Sequence, residues 1–361
     1  MRAKGKSVVA RMNSCHAVSR ALGRAARWLS GPARNAPPAS PRVAIRLDSG
    51  GGARMLSPMR VALILNRSAG TFRRLDPESC RHRLVSILEG AGHVVESRLV
   101  GRRDLAGTLS GLAARDDLDG VVVGGGDGTI LTAIVAGLGR TVPLGILPLG
   151  TLNLFARDLA LPADPFEAAE RLARARPAPI DLAEVNGLPF AIWASLGMHP
   201  WVVRRRDHMQ REGIGKWRAM LIASLRALRR FPLVDVTLDS GEGAVTVRTP
   251  MLFITNNAWR DQPPPLSRAV LDAGTLEIHI AACSGRLSLL LLIVQTALGH
   301  WRGSRRLQTF AAHEVRVVSA KRRAMLSLDG EVTVMNSPLV FRARPKALMV
   351  LMPPPGGDGA A

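Results

Sequence analysis

The sequence predicts a two-part α/β protein: an N-terminal doubly wound parallel sheet followed by a C-terminal β-sandwich. Three observations predict it. Between residues 59 and 160, short apolar runs alternate with amphipathic helical runs, the order expected of parallel strands with crossover helices. From Ile180 onward the helices give way to short strand-like runs separated by Gly, Pro, Asn and Asp turns. Finally, Val121–Val123 runs straight into Gly124-Gly125-Gly126-Asp127-Gly128-Thr129 and then into a helical pattern over 130–138. A run that is apolar at every position reads as a strand buried on both faces.

Taken in order, residues 1–58 carry eleven Lys/Arg against one acid, Asp48, with Pro and Gly clusters and no apolar signal-peptide core. They read as a tail without folded structure. Met59–Asn66 is a buried strand ending in the small polar turn Asn66-Arg67-Ser68-Ala69-Gly70, where Asn66 is either a strand-end cap or part of a site. Helices are expected over 77–91, 104–115 and 164–175, with a strand over 93–100. Leu144–Leu147 is a second buried strand. It leads to Gly150-Thr151 and a helical run from Leu154, repeating the design at 121–138.

Strand, glycine turn and helix together put backbone N–H groups and a helix N-terminus at one spot, an environment suited to polyphosphate. Glycine is expected there because a Cβ would hold the phosphate away and the turn would need φ values closed to other residues. Asp127, the one charge in the loop, makes sense beside phosphates if a divalent cation bridges them. The plainer alternative is a tight turn in which Asp127 or Thr129 caps the helix. Adjacent parallel strands leave their turns on one sheet edge, where ligands of open α/β sheets bind.

The second part is read as strands over 180–185, 190–196, 234–238, 244–248, 251–255, 276–281, 315–319, 324–328 and 339–344. A helical stretch from about Trp201 to Phe231 interrupts them. Its apolar arc is Trp217, Met220, Leu221, Leu225 and Leu228, with Arg218, Arg226, Arg229 and Arg230 beside it. Residues 202–230 hold nine Lys/Arg against Asp207 and Glu212. Two readings stay open: docking on an anionic lipid surface, or a helix packed inward by its apolar arc with a solvated basic face. Leu287–Leu298, about a dozen residues, is too short for the roughly twenty of a membrane span and is expected to be a buried helix. Residues 353–361 read as a flexible tail.

The net charge of +21 is read either as a demand for an anionic partner or as nothing more than an arginine-heavy genome composition. With no tyrosine and 4% aromatic residues, base-stacking platforms for nucleic acid are not expected. Cys15, Cys80 and Cys283 have no metal-ligand spacing and read as free thiols of a reducing cytoplasm. His199, His279, His300 and His313 are scattered and read as core or surface residues.

Gly125-Gly126-Asp127-Gly128-Thr129, followed by Pro148-Leu149-Gly150-Thr151-Leu152-Asn153-Leu154-Phe155-Ala156-Arg157, resembles the diacylglycerol kinase catalytic family, bacterial lipid kinases above all. The resemblance covers roughly 60–345. It implies a nucleotide-binding domain over 59–179, a β-sandwich acceptor domain over 180–352 and a cleft between them, with the chain's end folding back towards the first domain. It further implies ATP and Mg²⁺ as cofactors. Asn66, Gly124, Gly125, Gly126, Asp127, Gly128, Thr129, Gly150, Thr151 and Asn153 would hold the nucleotide, with Asp127 approaching the metal. Ser327-Leu328-Asp329-Gly330-Glu331, by itself an ordinary hairpin turn, matches the family's Asp-Gly-Glu. That match implies Glu331 as proton acceptor in catalysis, with Asp329 second. Val270–Glu277 resembles the family's structural magnesium stretch, which points to Asp272; Ala273 stands where the family has a carboxylate.

The implied partner is a lipid substrate at an anionic membrane surface, reached peripherally from the cytoplasmic side; a homodimer stays open. The glycine-aspartate turn is shared with NAD kinases, so an NAD kinase-like enzyme is the rival reading. A catalytically silent nucleotide- or membrane-binding regulator is the other.

Overall fold

Val61–Leu65 and Val121–Val123 are apolar at every position, and both are buried throughout, as a central parallel strand requires. The protein is described here as a computed structural model covering residues 57–354, apart from 242, 261–266, 269 and 302–303. The tails expected over 1–58 and 353–361 therefore lie almost wholly outside the described residues.

The first unit runs β1 (Arg60–Asn66), α1 (Pro77–Gly90), β2 (Val94–Val100), α2 (Leu105–Ala113), β3 (Gly120–Gly125), α3 (Asp127–Val135), β4 (Leu144–Pro148), α4 (Leu154–Asp158) and α5 (Pro165–Leu172). Its strands are parallel in the order β2-β1-β3-β4. Local chemistry starts the helices. The Asp76 carboxylate accepts from Ser79 N–H at 2.8 Å, and Asp164 accepts from Phe166 and Glu167 N–H, each ahead of a proline.

The second unit begins with β5 (Arg176–Val185), β6 (Leu188–Phe190), β7 (Trp193–Gly197), α6 (Met198–Arg211) and α7 (Lys216–Arg230). It continues with β8 (Val234–Asp239), β9 (Ala244–Thr249), β10 (Met251–Asn256), β11 (Leu276–Ala281) and α8 (Arg286–Ala297). Then follow β12 (Leu307–Ala312), β13 (Glu314–Ser319), β14 (Arg323–Leu328), β15 (Glu331–Asn336) and β16 (Leu339–Met352). Six strands form an antiparallel sheet in the order β12-β11-β10-β7-β14-β15. Its inner residues, among them Ile254, Ile278 and Leu326, share one core cluster with Val317, Leu339 and Phe341 of the facing sheet, which makes a sandwich.

The long strand β16 joins the two units. Its residues 339–342 pair with β13, residues 341–344 and 348–352 pair with β5, and Val350 lies parallel to Leu144 of β4. One ten-stranded sheet thus runs through both units. The boundary expected at 179/180 lies within β5, opposite an irregularity in β16. There the β16 register shifts between Arg344 and Leu348, and Lys346, at φ 53°, donates its N–H to Asp181 Oδ1 at 2.8 Å.

Two helix expectations are corrected. The stretch from 201 to 231 is two helices, broken after Arg211 where Gly213 takes φ +90°. On α7 the buried face is Ala219, Ala223 and Ala227, while Trp217, Leu221 and Leu225 are 70, 61 and 50% exposed. Three alanines four residues apart let the helix sit close against its neighbours, so Trp217, Leu221 and Leu225 of the expected arc point outward while Met220 and Leu228 pack against the core. Likewise α8 buries Leu289 and Leu292 but leaves Leu287 and Leu298 more than 60% exposed. Among the described residues no helix is long and apolar enough to cross a membrane.

Candidate active site

The two glycine turns meet backbone to backbone. β3 passes through an extended Gly126 (φ −92°, ψ 178°) into α3, and β4, its parallel neighbour, passes into Gly150-Thr151. Leu149 N–H donates to the Gly125 carbonyl at 3.1 Å. A Cβ on Gly126 would come within 3.2 Å of Gly150 Cα, and one on Gly150 would strike Gly126. A Cβ on Gly124 would meet Leu65 at 2.5 Å and Leu149 at 2.7 Å; one on Gly125 would strike Thr129. Neither these four residues nor Gly128 takes a left-handed φ. The expectation that the turn's φ values demand glycine is therefore corrected: close approach of chain to chain demands it. What results is a bare backbone rim at the N-terminus of α3, an environment that favours anions.

Several predicted ligand residues turn their polar groups onto the rim itself. Asn66 Nδ2 donates to Thr129 Oγ1 at 2.9 Å, and its Oδ1 accepts from Ser68 N–H at 2.9 Å. Asn153, left-handed at φ 48°, accepts from Gly150 N–H at 2.8 Å and donates back to the Gly150 carbonyl at 3.2 Å. These two asparagines lock the turns, and Thr129 is buried beneath them, whereas Thr151 is exposed. Asp127 lies in the first turn of α3, but its Oδ1 accepts from Phe155 N–H at 3.2 Å and so caps the five-residue α4 of the second turn. Burial pushes its carboxyl above the ordinary range, opposed by the amides of Phe155 and Leu154.

The third motif arrives from the other unit. Leu328 and Glu331 face each other across the β14–β15 hairpin, with Asp329 (φ 47°) and Gly330 (φ 86°) both left-handed between them, the geometry of a two-residue hairpin. The turn hangs over α3: a Cβ built on Gly128 would lie 3.0 Å from Glu331 Oε1. Surrounding protein pushes the Glu331 carboxyl up, Asp207 adds to this, and Arg102 and Arg206 oppose it. Asp329 is differently placed. Its Oδ2 accepts from Ala191 N–H at 2.7 Å, and its Oδ1 accepts from Ile192 and Trp193 N–H at 2.9 Å each. Desolvation by the surrounding protein lifts its carboxyl to about 6, the three amides pull against this, and Asp127 pushes the same way as desolvation. Glu331 thus lies against Gly128 at the head of α3, next to Asp127 in the chain, while Asp329 behind it faces the 191–193 amides.

Other functional positions carry no motif in the sequence. Asp158 and Arg268 form a fully buried ion pair at 2.7 Å; Arg268 N–H also donates to Asp158, and its Nη1 donates to the Ala191 carbonyl at 2.8 Å. This fastens α4 to the very segment that Asp329 holds. Lys216, at the start of α7, is half-buried, which pulls its ammonium down; Arg206, Asp127, Arg73 and Asp207 act on it electrostatically. Only the basic composition of 202–230 hinted at it. Around Asp272 the structure gathers little: the side chain is exposed, and the neighbouring Gly274 N–H is taken by buried Asp181 at 2.5 Å. Among the described residues no group of three His, Cys, Asp or Glu side chains could hold a metal. At the cleft less is needed, because Mg²⁺ takes one or two carboxylates and completes its shell with substrate phosphates and water. Asp127 beside the bare rim fits that demand.

A diacylglycerol kinase catalytic domain model matches residues 60–185, and a YegS C-terminal NAD kinase beta sandwich-like domain model matches 194–352. A diacylglycerol kinase of Mycobacterium tuberculosis is 30% identical over 219 residues, 59% of this chain and 68% of that one. The chain belongs to the diacylglycerol kinase catalytic-domain family. Another relative of this family, the diacylglycerol kinase of Staphylococcus carnosus, is 26% identical over 200 residues, 54% of this chain and 63% of that one. Several curated relatives are spanned over only about half their length, from 44 to 63%. The fold is also that of the crystal structure of a diacylglycerol kinase from Bacillus anthracis, with TM-score 0.61 and 18% identity over 82% of this chain and 97% of that one.

Proposed function

We propose that this kinase-family chain transfers the γ-phosphate of ATP to the hydroxyl of a lipid such as diacylglycerol. One observation carries the reading: Glu331, from the sandwich, reaches over Gly128 at the head of the phosphate-binding turn. The Gly126–Gly150 rim and the N-terminus of α3 would receive the phosphates through backbone N–H groups. Asp127 would hold Mg²⁺ against them, and that ion would supply the positive charge that phosphoryl transfer needs. Glu331 would accept the proton of the acceptor hydroxyl at its carboxylate. Asp329, with its oxygens occupied by three amides, would position the hairpin rather than take the proton.

The deciding experiment incubates the purified protein with γ-labelled ATP, a total lipid extract and added NAD. Label in a lipid is the expected outcome. Label in NAD instead, with none in lipid, would transfer the protein to the rival kinase class, and ATP binding without transfer would make it a silent regulator.

A further inference from the structure

We infer that the outer faces of α7 and α8 form a docking surface for an anionic lipid bilayer. On α7, Trp217, Leu221 and Leu225 recur every four residues and all face solvent. On α8, Leu287, Leu290, Leu291, Ile293 and Val294 are exposed as well, as is Leu298 at its C-cap. The two helices stand on one base, because Ala223 and Ala227 of α7 share a core cluster with Leu289 and Leu292 of α8. Isolated exposed leucines need no explanation, but two helices seated on one core cluster that both turn large apolar side chains outward do.

Charge decides what covers them. Lys216, Arg218, Arg226, Arg229 and Arg230 lie on α7, and Arg286 opens α8; neither helix holds an acid. The four α7 arginines are exposed beside the apolar stripe. An apolar face edged with arginine and carrying a tryptophan suits the interface of an anionic bilayer, where the helix lies flat and sinks about 5–10 Å. A second copy of this chain suits it poorly, since a two-fold contact through α7 would set the same five cations against themselves. The helices would lie on the bilayer, being too short to cross it.

This docking deepens the lipid-kinase reading and rests on it for its purpose. α7 packs on α6, and α6 packs on β14 and β15, the strands of the Glu331 hairpin, so one helix separates the face that meets the lipid from that hairpin. An acceptor lifted from the bilayer would have a short path to the hairpin of Glu331.

Co-sedimentation with vesicles tests it, using phosphatidylcholine alone and phosphatidylcholine mixed with phosphatidylglycerol. The mixed vesicles should bind the protein at least about tenfold more tightly, an excess that salt removes. The variant Trp217→Ser/Leu221→Ser/Leu225→Ser should lose about tenfold or more on the mixed vesicles. Arg218→Ser/Arg226→Ser/Arg229→Ser/Arg230→Ser should lose the preference for anionic vesicles. Binding unchanged in both variants would overturn the proposal. So would a wild-type protein that ignores vesicles and forms a dimer abolished by the first variant. Transfer of phosphate to a short-chain diacylglycerol dispersed without vesicles is read separately. Both variants should retain it, and its absence from the wild type would count against the kinase reading while leaving the vesicle result standing.

Discussion

Glu331 and Asp329 are two residues apart, yet their surroundings give them different work. Glu331 is open to the cleft and its carboxyl is raised by surrounding protein, so turnover should rise with pH through a value above the ordinary glutamate range. Glu331→Gln should lower kcat by about a hundredfold or more, the usual scale for losing an acid–base group, with the unfolding midpoint in denaturant nearly unchanged. Asp329→Ala should do the reverse first. It strands three N–H groups at 191–193 and should cost about 3 kcal/mol or more of stability in the same denaturation measurement. Because burial raises its carboxyl to about 6, the folded state holds this proton more tightly than the unfolded one. Stability should therefore fall as pH rises from about 4 to 6, by at most about 1.4 kcal/mol per pH unit. Asp329→Asn should flatten that slope. Asp127→Ala should abolish turnover in a chain that still folds, as followed by phosphate transfer and circular dichroism; near-normal activity would remove the loop from the site.

At the level of elements, the glycine turns could be read from the sequence because strand, turn and helix are contiguous and each leaves a local pattern. The reason for the glycines could not, since the atoms that exclude a Cβ at Gly124 and Gly150 come from Leu65, Leu149 and Gly126. Helix α7 is the opposite case. Its apolar arc was plain in the sequence, but periodicity finds a stripe without saying which side the core takes, and the alanines took it. The Asp158–Arg268 pair left no sequence signal at all, its partners being 110 residues apart. Removing one member of a pair sealed from water exposes the other to an unpaired burial. Asp158→Ala should therefore cost about 3–5 kcal/mol, read as a drop in the denaturation midpoint, and loosen α4 against the second unit.

For the molecule as a whole, two domains in sequence are one body in space. The larger core cluster holds Val121 and Ile146 of the first unit together with Trp193 and Trp259 of the second and Leu348 and Val350 of the last strand. Unfolding followed by tryptophan fluorescence and by far-ultraviolet circular dichroism should therefore give coincident single transitions. Two separated transitions would show that the shared sheet does not couple the units. The strand β16, which does the joining, carries a further consequence for how the protein is made. Val350 meets Leu144 only after roughly two hundred further residues have been synthesised, on the order of ten seconds or more on a ribosome. Through that interval the β4 edge stands unpaired, a template for any neighbouring nascent chain, so a chaperone that shields it during translation should raise the yield of native protein.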